Sequence, residues 1–231
     1  MFVDPLYFLL ILPGLGMALW AQSRVSSAYA EGSRISSASG LSGAQAAAAV
    51  LHAAGVEGVR IEPVAGELTD HYDPRDKVLR LSEGVYAGRS LAALGVAAHE
   101  AGHAIQDSRR YPGLVVRNLM VPVANIGSSV CWLLVLAGTL LGLFEFVLAG
   151  IALFSMNVVF QVVNLPVEYD ASRRARASLL ATGLVSPVED EAVGHVLNAA
   201  ALTYVAATLT SVLSLLYYLY RFGLLGGRRE D

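Results

Sequence analysis

Five consecutive residues, His99-Glu100-Ala101-Gly102-His103, have the types and spacing of a zinc site. Residues four apart lie on one helix face one turn apart, so both imidazoles can reach one ion. Zinc binds imidazole nitrogen at about 2.0–2.1 Å in tetrahedral sites, and a catalytic zinc keeps one position for water. Glu100 follows His99 directly, so it does not bind the ion, but it can take a proton from that water. The pattern predicts metal-assisted hydrolysis with Glu100 as general base.

The surroundings of this motif favour a site over two ordinary core histidines with a surface glutamate. The run from Ala92 to Ile105 contains helix-forming residues and no proline. We therefore expect a helix from Leu91 to about Asp107, with Ser90 as its N-cap. Two imidazoles and a carboxylate on an otherwise apolar helix would be costly to bury without a partner.

A catalytic zinc needs a third protein ligand, and the residues leave the choice open. Cys131 lies inside an apolar segment and is set aside. Asp107 could orient a ligand histidine from outside the metal shell. Glu168 and Asp170 are two positions apart on an expected helix that starts near Pro166, so they point to different sides and only one can be the ligand.

Apolar residues dominate the composition: 55% of the 231 residues are hydrophobic and 15% are charged. Ordinary soluble domains have about 25% charged residues. This composition excludes a disordered chain, and a single cysteine excludes a disulfide scaffold. The net charge of −3 leaves no basic excess for nucleic acid, so we expect no nucleic-acid partner.

Four apolar segments hold most of the hydrophobic excess, and each is long enough to cross a bilayer as a helix. We expect a mainly α integral membrane protein with four transmembrane helices and a small α+β zincin-like catalytic domain with a short β-hairpin or sheet. The expected order is transmembrane helix 1 (1–21), catalytic region (22–118), transmembrane helices 2 (119–143) and 3 (144–163), a helix with the third ligand (164–198), transmembrane helix 4 (199–221) and a tail (222–231).

The region between the first two spans shows its own local signals. Ser23 to Gly43 is rich in serine, glycine and alanine and predicts a linker or mobile loop. Ser42 and Gln45 fit a capping box for a helix that ends near Gly55. Strands are predicted at Val59–Glu62, Leu68–Tyr72 and Lys77–Ser82, the last two joined by a turn at 73–76.

Topology and charge give two further predictions. Two spans separate His103 from Glu168, and two crossings return the chain to the same side, so both residues can share one site. Arginines near span ends are concentrated on that side, which predicts a cytoplasmic site in a bacterial cell membrane and both termini outside. The residues that carry this excess are Arg24, Arg34, Arg109, Arg110, Arg117, Arg173, Arg174 and Arg176, against Arg221, Arg228 and Arg229 on the other side.

Several blocks of the sequence resemble the YugP-type membrane zinc metallopeptidases. These blocks are Leu68 to Pro74, Val78 to Ser82, Ser90 to Gln106 with its HEAGHAIQ, Asn164 to Arg174, and Ala199 to Ala206. The resemblance extends over nearly the whole chain, from about Ser42 to Tyr220. The family is similar to the wider group of integral-membrane gluzincins that includes HtpX and the type I CAAX prenyl proteases.

The resemblance implies one catalytic zinc ion held by His99, His103 and Glu168, with Glu100 as the base. It also implies an endopeptidase that acts on polypeptides, membrane proteins among them, with a role in membrane-protein quality control. In the wider group an aspartate follows the ligand glutamate by four positions, whereas this chain has Ser172 there.

Some roles stay open at this level. The alternative function is a non-catalytic membrane scaffold or pseudoprotease with a structural metal, and the intact Glu100 argues against it because a structural site needs no base. The strand at Leu68–Tyr72 could pair with an extended substrate if it lies at a sheet edge. Candidate oxyanion donors are His71, Tyr169, Arg173 and, as first choice, His195.

Overall fold

The structure, a computed structural model, describes residues 4–225, except for the side chains of Ile126 and Ser128. It is mostly helical with one small sheet. In chain order the elements are α1 (Pro5–Ser33), α2 (Gly43–Ala53), β1 (Arg60–Val64), β2 (His71–Asp73), β3 (Val78–Ser82), α3 (Glu83–Tyr86), α4 (Leu91–Ser108), α5 (Pro112–Leu141), α6 (Phe144–Ala181) and α7 (Pro187–Arg221).

The two short helices with sequence-predicted caps form as expected. Ahead of α2, the Ser42 hydroxyl accepts from the Gln45 backbone at 3.3 Å, and the Gln45 side chain accepts from the Ser42 backbone at 2.9 Å. Ahead of α4, the Ser90 hydroxyl accepts from the Ala93 backbone at 3.2 Å. Side-chain oxygens therefore satisfy amide groups that a helix start leaves without partners.

The sheet has the order β1-β3-β2, with β1 parallel and β2 antiparallel to the central β3. Leu79 and Leu81 of β3 are fully buried, which fits a central strand. The predicted hairpin is present, although β2 is shorter than the expected Leu68–Tyr72. Asp70, just before β2, instead turns its carboxylate to the Ser82 backbone at 2.8 Å and so ties the start of the hairpin to the end of β3.

Tertiary contacts divide the chain into two compact units. The mixed unit comprises Gln22–Val115 and Pro166–Leu202 and contains the sheet. The helical unit comprises, among the described residues, 4–21, 116–165 and 203–225. The core of the mixed unit joins α2, β3 and α4 with the later part of α6 and the early part of α7. It therefore surrounds α4, the helix that carries the zinc motif.

Three helices, α1, α6 and α7, are long and apolar enough to cross a membrane by length and composition. A fourth candidate consists of two helical pieces, Pro112–Asn125 and Ser129–Leu141, that meet at an angle of 43°. The described residues thus offer three spans, or four if the bent pair counts as one.

The long helices run past several boundaries predicted from composition. The loop prediction was wrong for the first part of Ser23–Gly43, because α1 stays helical to Ser33. Ala28 is buried there, and a Cβ at Gly32 would meet Val196 at 2.8 Å, so packing of small residues favours the helix. The prediction of a helix start at Pro166 was also wrong, since α6 continues through that proline.

A glycine sets the approach of α4 to α6 within the mixed unit. A Cβ added to Gly102 would lie 2.7 Å from the carbonyl oxygen of Ala171, closer than real Cβ contacts allow. Because the obstacle is backbone, neither helix can yield by a side-chain rotation.

Gly102→Ala is therefore expected to destabilise the protein by about 1–3 kcal/mol through overpacking, although alanine is the better helix former by about 1 kcal/mol. Thermal unfolding of the purified protein in detergent measures this. Gly95→Ala on the same helix is the matched control, because its Cβ meets only a side chain, Val193, at 3.1 Å. An equal or higher unfolding temperature for Gly102→Ala than for Gly95→Ala would contradict this account.

Candidate active site

Helix α4 presents the three motif residues in the interior of the mixed unit. His103 and Glu100 are buried, and the side chain of His99 is 14% exposed. The two imidazole rings lie one helical turn apart, with centroids 4.8 Å from each other. The local spacing therefore produces the paired imidazoles that the sequence predicts.

Glu168 on α6 joins these two rings. Its Oε2 atom lies 3.2 Å from His99 Nε2 and 3.4 Å from His103 Nε2. The three groups can present ligand atoms that all lie within 4.8 Å of one another. Of the two acidic candidates on α6, the structure thus brings Glu168 and not Asp170 to the histidines.

The donor set fits zinc. Two bonds of about 2.05 Å at a tetrahedral angle would separate their donor atoms by about 3.3 Å, close to the two observed nitrogen–oxygen distances. Two imidazoles with one carboxylate are a combination that zinc accepts, whereas calcium and magnesium prefer all-oxygen sites. The cluster can therefore hold one zinc ion.

The outer nitrogen of each histidine has a hydrogen-bond partner. His99 Nδ1 lies 3.0 Å from the Ser172 hydroxyl, and His103 Nδ1 lies 3.0 Å from Gln106 Oε1. Such partners orient ligand histidines and leave the other nitrogen to face the metal. Ser172, four positions after Glu168, thus contacts His99, one of the two motif histidines.

Sequence reasoning missed Gln106. This residue is fully buried, and its Nε2 donates to the Val167 carbonyl and to Asp170 Oδ2, both at 2.9 Å. Asp170 is held in turn by Arg173 and by Arg174 Nε at 2.5 Å. A signal was available: a glutamine three positions after His103 on an apolar helix must bury an amide, and buried amides need partners.

Asp107 contacts the β2–β3 hairpin and does not orient a histidine, the role expected from the sequence. It accepts from the Tyr72 hydroxyl at 2.7 Å and from the Lys77 ammonium group, rather than from a histidine. Burial raises the pKa of Tyr72, and the hydrogen bond to Asp107 raises it further. Asp107 thus attaches the β2–β3 hairpin to the end of α4.

Glu100 has no hydrogen bond or ion pair within residues 4–225, although only 9% of it is exposed. Buried carboxylates are normally paired. Among the described residues, no partner therefore occupies the carboxylate of Glu100, the residue that follows His99 on α4.

The four oxyanion candidates all bond elsewhere or lie at the surface. His71 Nδ1 contacts the Thr69 carbonyl at 2.8 Å, and His195 lies 3.9 Å from Glu31. Arg173 pairs with Asp170, and Tyr169 is 48% exposed. In the described part of the chain, none of the four has a hydrogen bond to the three-residue cluster.

Fold and site together define a helical protein with candidate membrane spans and a cluster of two histidines and a glutamate that could hold a metal ion. A family model described as "Putative neutral zinc metallopeptidase" matches residues 7–223. The chain is also 46% identical over 226 residues to the "Putative membrane protease YugP" of Bacillus subtilis (strain 168), a match that covers 98% of this chain and 100% of the relative. No solved structure matches it.

The chain belongs to the neutral zinc metallopeptidase family. Zinc is accordingly its metal, and the cluster of His99, His103 and Glu168 is a possible place for it. The family supports a protease, and the relative's name together with the apolar helices supports a membrane protein.

Proposed function

We propose that this protein is a membrane-embedded zinc endopeptidase of the gluzincin type, with His99, His103 and Glu168 as ligands. One observation carries the proposal. The buried Glu168 carboxylate lies 3.2 and 3.4 Å from the Nε2 atoms of the two motif histidines. A carboxylate and two imidazoles from distant parts of the chain then serve one ion, and the third ligand leaves a tetrahedral position for water.

Glu100 acts as the general base in this proposal. When bound, zinc polarises the substrate carbonyl and lowers the pKa of water to about 7. Glu100 takes a proton from the attacking water and returns it to the leaving amine. Its lack of partners in the described residues supports this role, because a carboxylate held in ion pairs would be a weaker base.

Ser172 and Gln106 hold the ligand histidines in position. The Ser172 hydroxyl lies 3.0 Å from Nδ1 of His99, and Gln106 Oε1 lies 3.0 Å from Nδ1 of His103. Each imidazole then directs Nε2 toward Glu168 without a conformational change. This arrangement supports a rigid metal site, as hydrolysis requires.

The substrate in this proposal is a polypeptide bound in an extended conformation. β2 (His71–Asp73) lies at an edge of the sheet, so its outer backbone groups can pair with an added strand. The Tyr72–Asp107 hydrogen bond attaches this strand to α4. The edge strand and the motif helix would therefore keep a fixed relation while a substrate binds.

We further propose four membrane spans, with the bent α5 counted as one, and a zincin-like domain whose catalytic side is cytoplasmic. The excess of arginines near span ends on that side supports this orientation. Substrates are then membrane proteins or unfolded chains accessible from the cytoplasm, and membrane-protein quality control is the proposed role.

Glu100→Gln is expected to keep about one zinc ion per chain and to lose proteolysis of an unfolded substrate by about 10²–10⁴-fold, because an amide cannot accept the proton. Metal analysis and cleavage assays on purified protein measure both quantities. Glu57→Gln, at an exposed loop position, is the matched control and should resemble wild type. Full proteolysis by Glu100→Gln would exclude Glu100 as base, whereas wild-type protein that binds zinc without any proteolysis would favour a structural metal.

Glu168→Ala is expected to weaken zinc binding by more than about 100-fold, beyond the 10–100-fold effect typical of outer-shell partners. Competition with a chromophoric chelator gives the affinity. Glu191→Ala, an exposed glutamate on α7, controls for loss of charge on a helix. Zinc affinity equal to wild type in Glu168→Ala would show that the third ligand lies elsewhere.

The orientation can be tested by cysteine labelling in intact cells after the native thiol is removed by Cys131→Ser. Asp231→Cys in the tail is expected to react with a membrane-impermeant maleimide, and Glu57→Cys on the catalytic side is expected to react only after permeabilisation. Both positions lie outside the predicted spans. The reverse pattern would place the site outside the cell.

A further inference from the structure

We propose that Gln106 and Asp170 are positioning residues that hold His103 in a single tautomer, with the proton on Nδ1 and the lone pair of Nε2 available to the metal. The inference rests on the zinc site proposed above. It adds the selection of one tautomer to the positioning role of Gln106, and it adds Asp170, which acts through Gln106.

The neighbours of the Gln106 amide determine its orientation. One end of the amide lies 2.9 Å from both the Val167 carbonyl oxygen and Asp170 Oδ2. A peptide carbonyl only accepts hydrogen bonds, and both carboxyl oxygens of Asp170 also accept from guanidinium groups, those of Arg173 and Arg174. The end that faces these two acceptors must be the NH₂ group, so the oxygen faces His103.

The orientation of the Gln106 amide determines which nitrogen of His103 carries the proton. Gln106 Oε1 can only accept, and His103 Nδ1 lies 3.0 Å away, so Nδ1 must carry a proton. In a neutral imidazole the other nitrogen then has a free lone pair. That nitrogen, Nε2, lies 3.4 Å from the carboxylate oxygen of Glu168.

The partner of His99 does not impose the same constraint. Ser172 offers a hydroxyl, which rotates and can donate or accept at 3.0 Å from Nδ1. It holds the ring in place without selecting a tautomer. The two ligand histidines are therefore controlled differently, and only His103 is fixed by an amide whose own direction is determined.

Burial gives this arrangement its strength. Gln106 is 0% exposed and the Asp170 side chain 5%. At low dielectric a reversed amide would place its oxygen against two other oxygens, which is strongly unfavourable. Because Gln106 lies on α4 while Val167 and Asp170 flank Glu168 on α6, the same side chain also joins the two helices that carry the ligands.

Two variants test the proposal on zinc-free and zinc-titrated protein. Gln106→Leu removes the acceptor and should weaken zinc binding by about 10–100-fold. In ¹⁵N spectra of zinc-free, histidine-labelled protein, wild-type His103 should show a protonated Nδ1, and this signal should be lost in Gln106→Leu. His103→Ala assigns the resonance. Gln45→Leu, which removes a hydrogen-bonding glutamine of α2, is the matched control and should change neither quantity.

Substitutions at Asp170 test whether Asp170 acts on His103 through Gln106, an effect called the relay below. They also keep the proposal testable if Gln106→Leu does not fold. Asp170→Asn still offers a carbonyl oxygen to Gln106 and should keep the wild-type tautomer and affinity within about threefold. Asp170→Leu removes that acceptor and should shift the tautomer and weaken zinc binding. A residue that only supported packing would not change the tautomer.

The outcomes separate this inference from the proposed zinc site. If wild type binds no zinc, or if Glu168→Ala binds it equally well, the proposed site is wrong, and the tautomer of the zinc-free protein still tests the relay. If wild type binds zinc while Gln106→Leu and Asp170→Leu keep wild-type affinity and tautomer, the relay is overturned.

Discussion

The contact between the buried Glu168 carboxylate and two imidazoles organises the polar groups between α4 and α6 in the mixed unit. Only 3% of the Glu168 side chain is exposed, and His99 and His103 surround it. Each imidazole has a second nitrogen that also needs a hydrogen-bond partner, and Ser172 and Gln106 are these partners. Gln106 in turn donates to Asp170, and Asp170 pairs with Arg173 and Arg174. These groups therefore form one connected network between α4 and α6.

The packing of α4 against α6 makes this network possible. A tetrahedral metal site tolerates errors of only a few tenths of an ångström, so the two helices that carry the candidate ligands must meet at a fixed distance. Gly102, between the two motif histidines, allows the backbone of Ala171 to come close. Gln106 then joins the same helices one turn later. The close contact of Gly102 with Ala171 and the buried hydrogen bonds of Gln106 thus both hold α4 against α6.

Local signals predicted the short elements well and the long helices poorly. Ser42 and Ser90 marked helix starts because capping depends on neighbouring residues alone. Composition failed for α1 beyond Ser23 and for α6 at Pro166, where packing of small residues and helix continuity outweigh local propensity. Gln106 was overlooked for a related reason: its importance depends on acceptors that lie about sixty residues away in the chain.

The sequence by itself determined the pair of imidazoles and the adjacent Glu100, because four-residue spacing on any α-helix puts His99 and His103 on one face. It also limited the acidic partner to Glu168 or Asp170, and family resemblance favoured Glu168. Only the tertiary structure decided which carboxylate meets the histidines and which one binds Gln106. Residues two positions apart on a helix point in different directions. The rotation of α6 about its axis, set by packing against α4, therefore decides that Glu168 and not Asp170 faces the histidines.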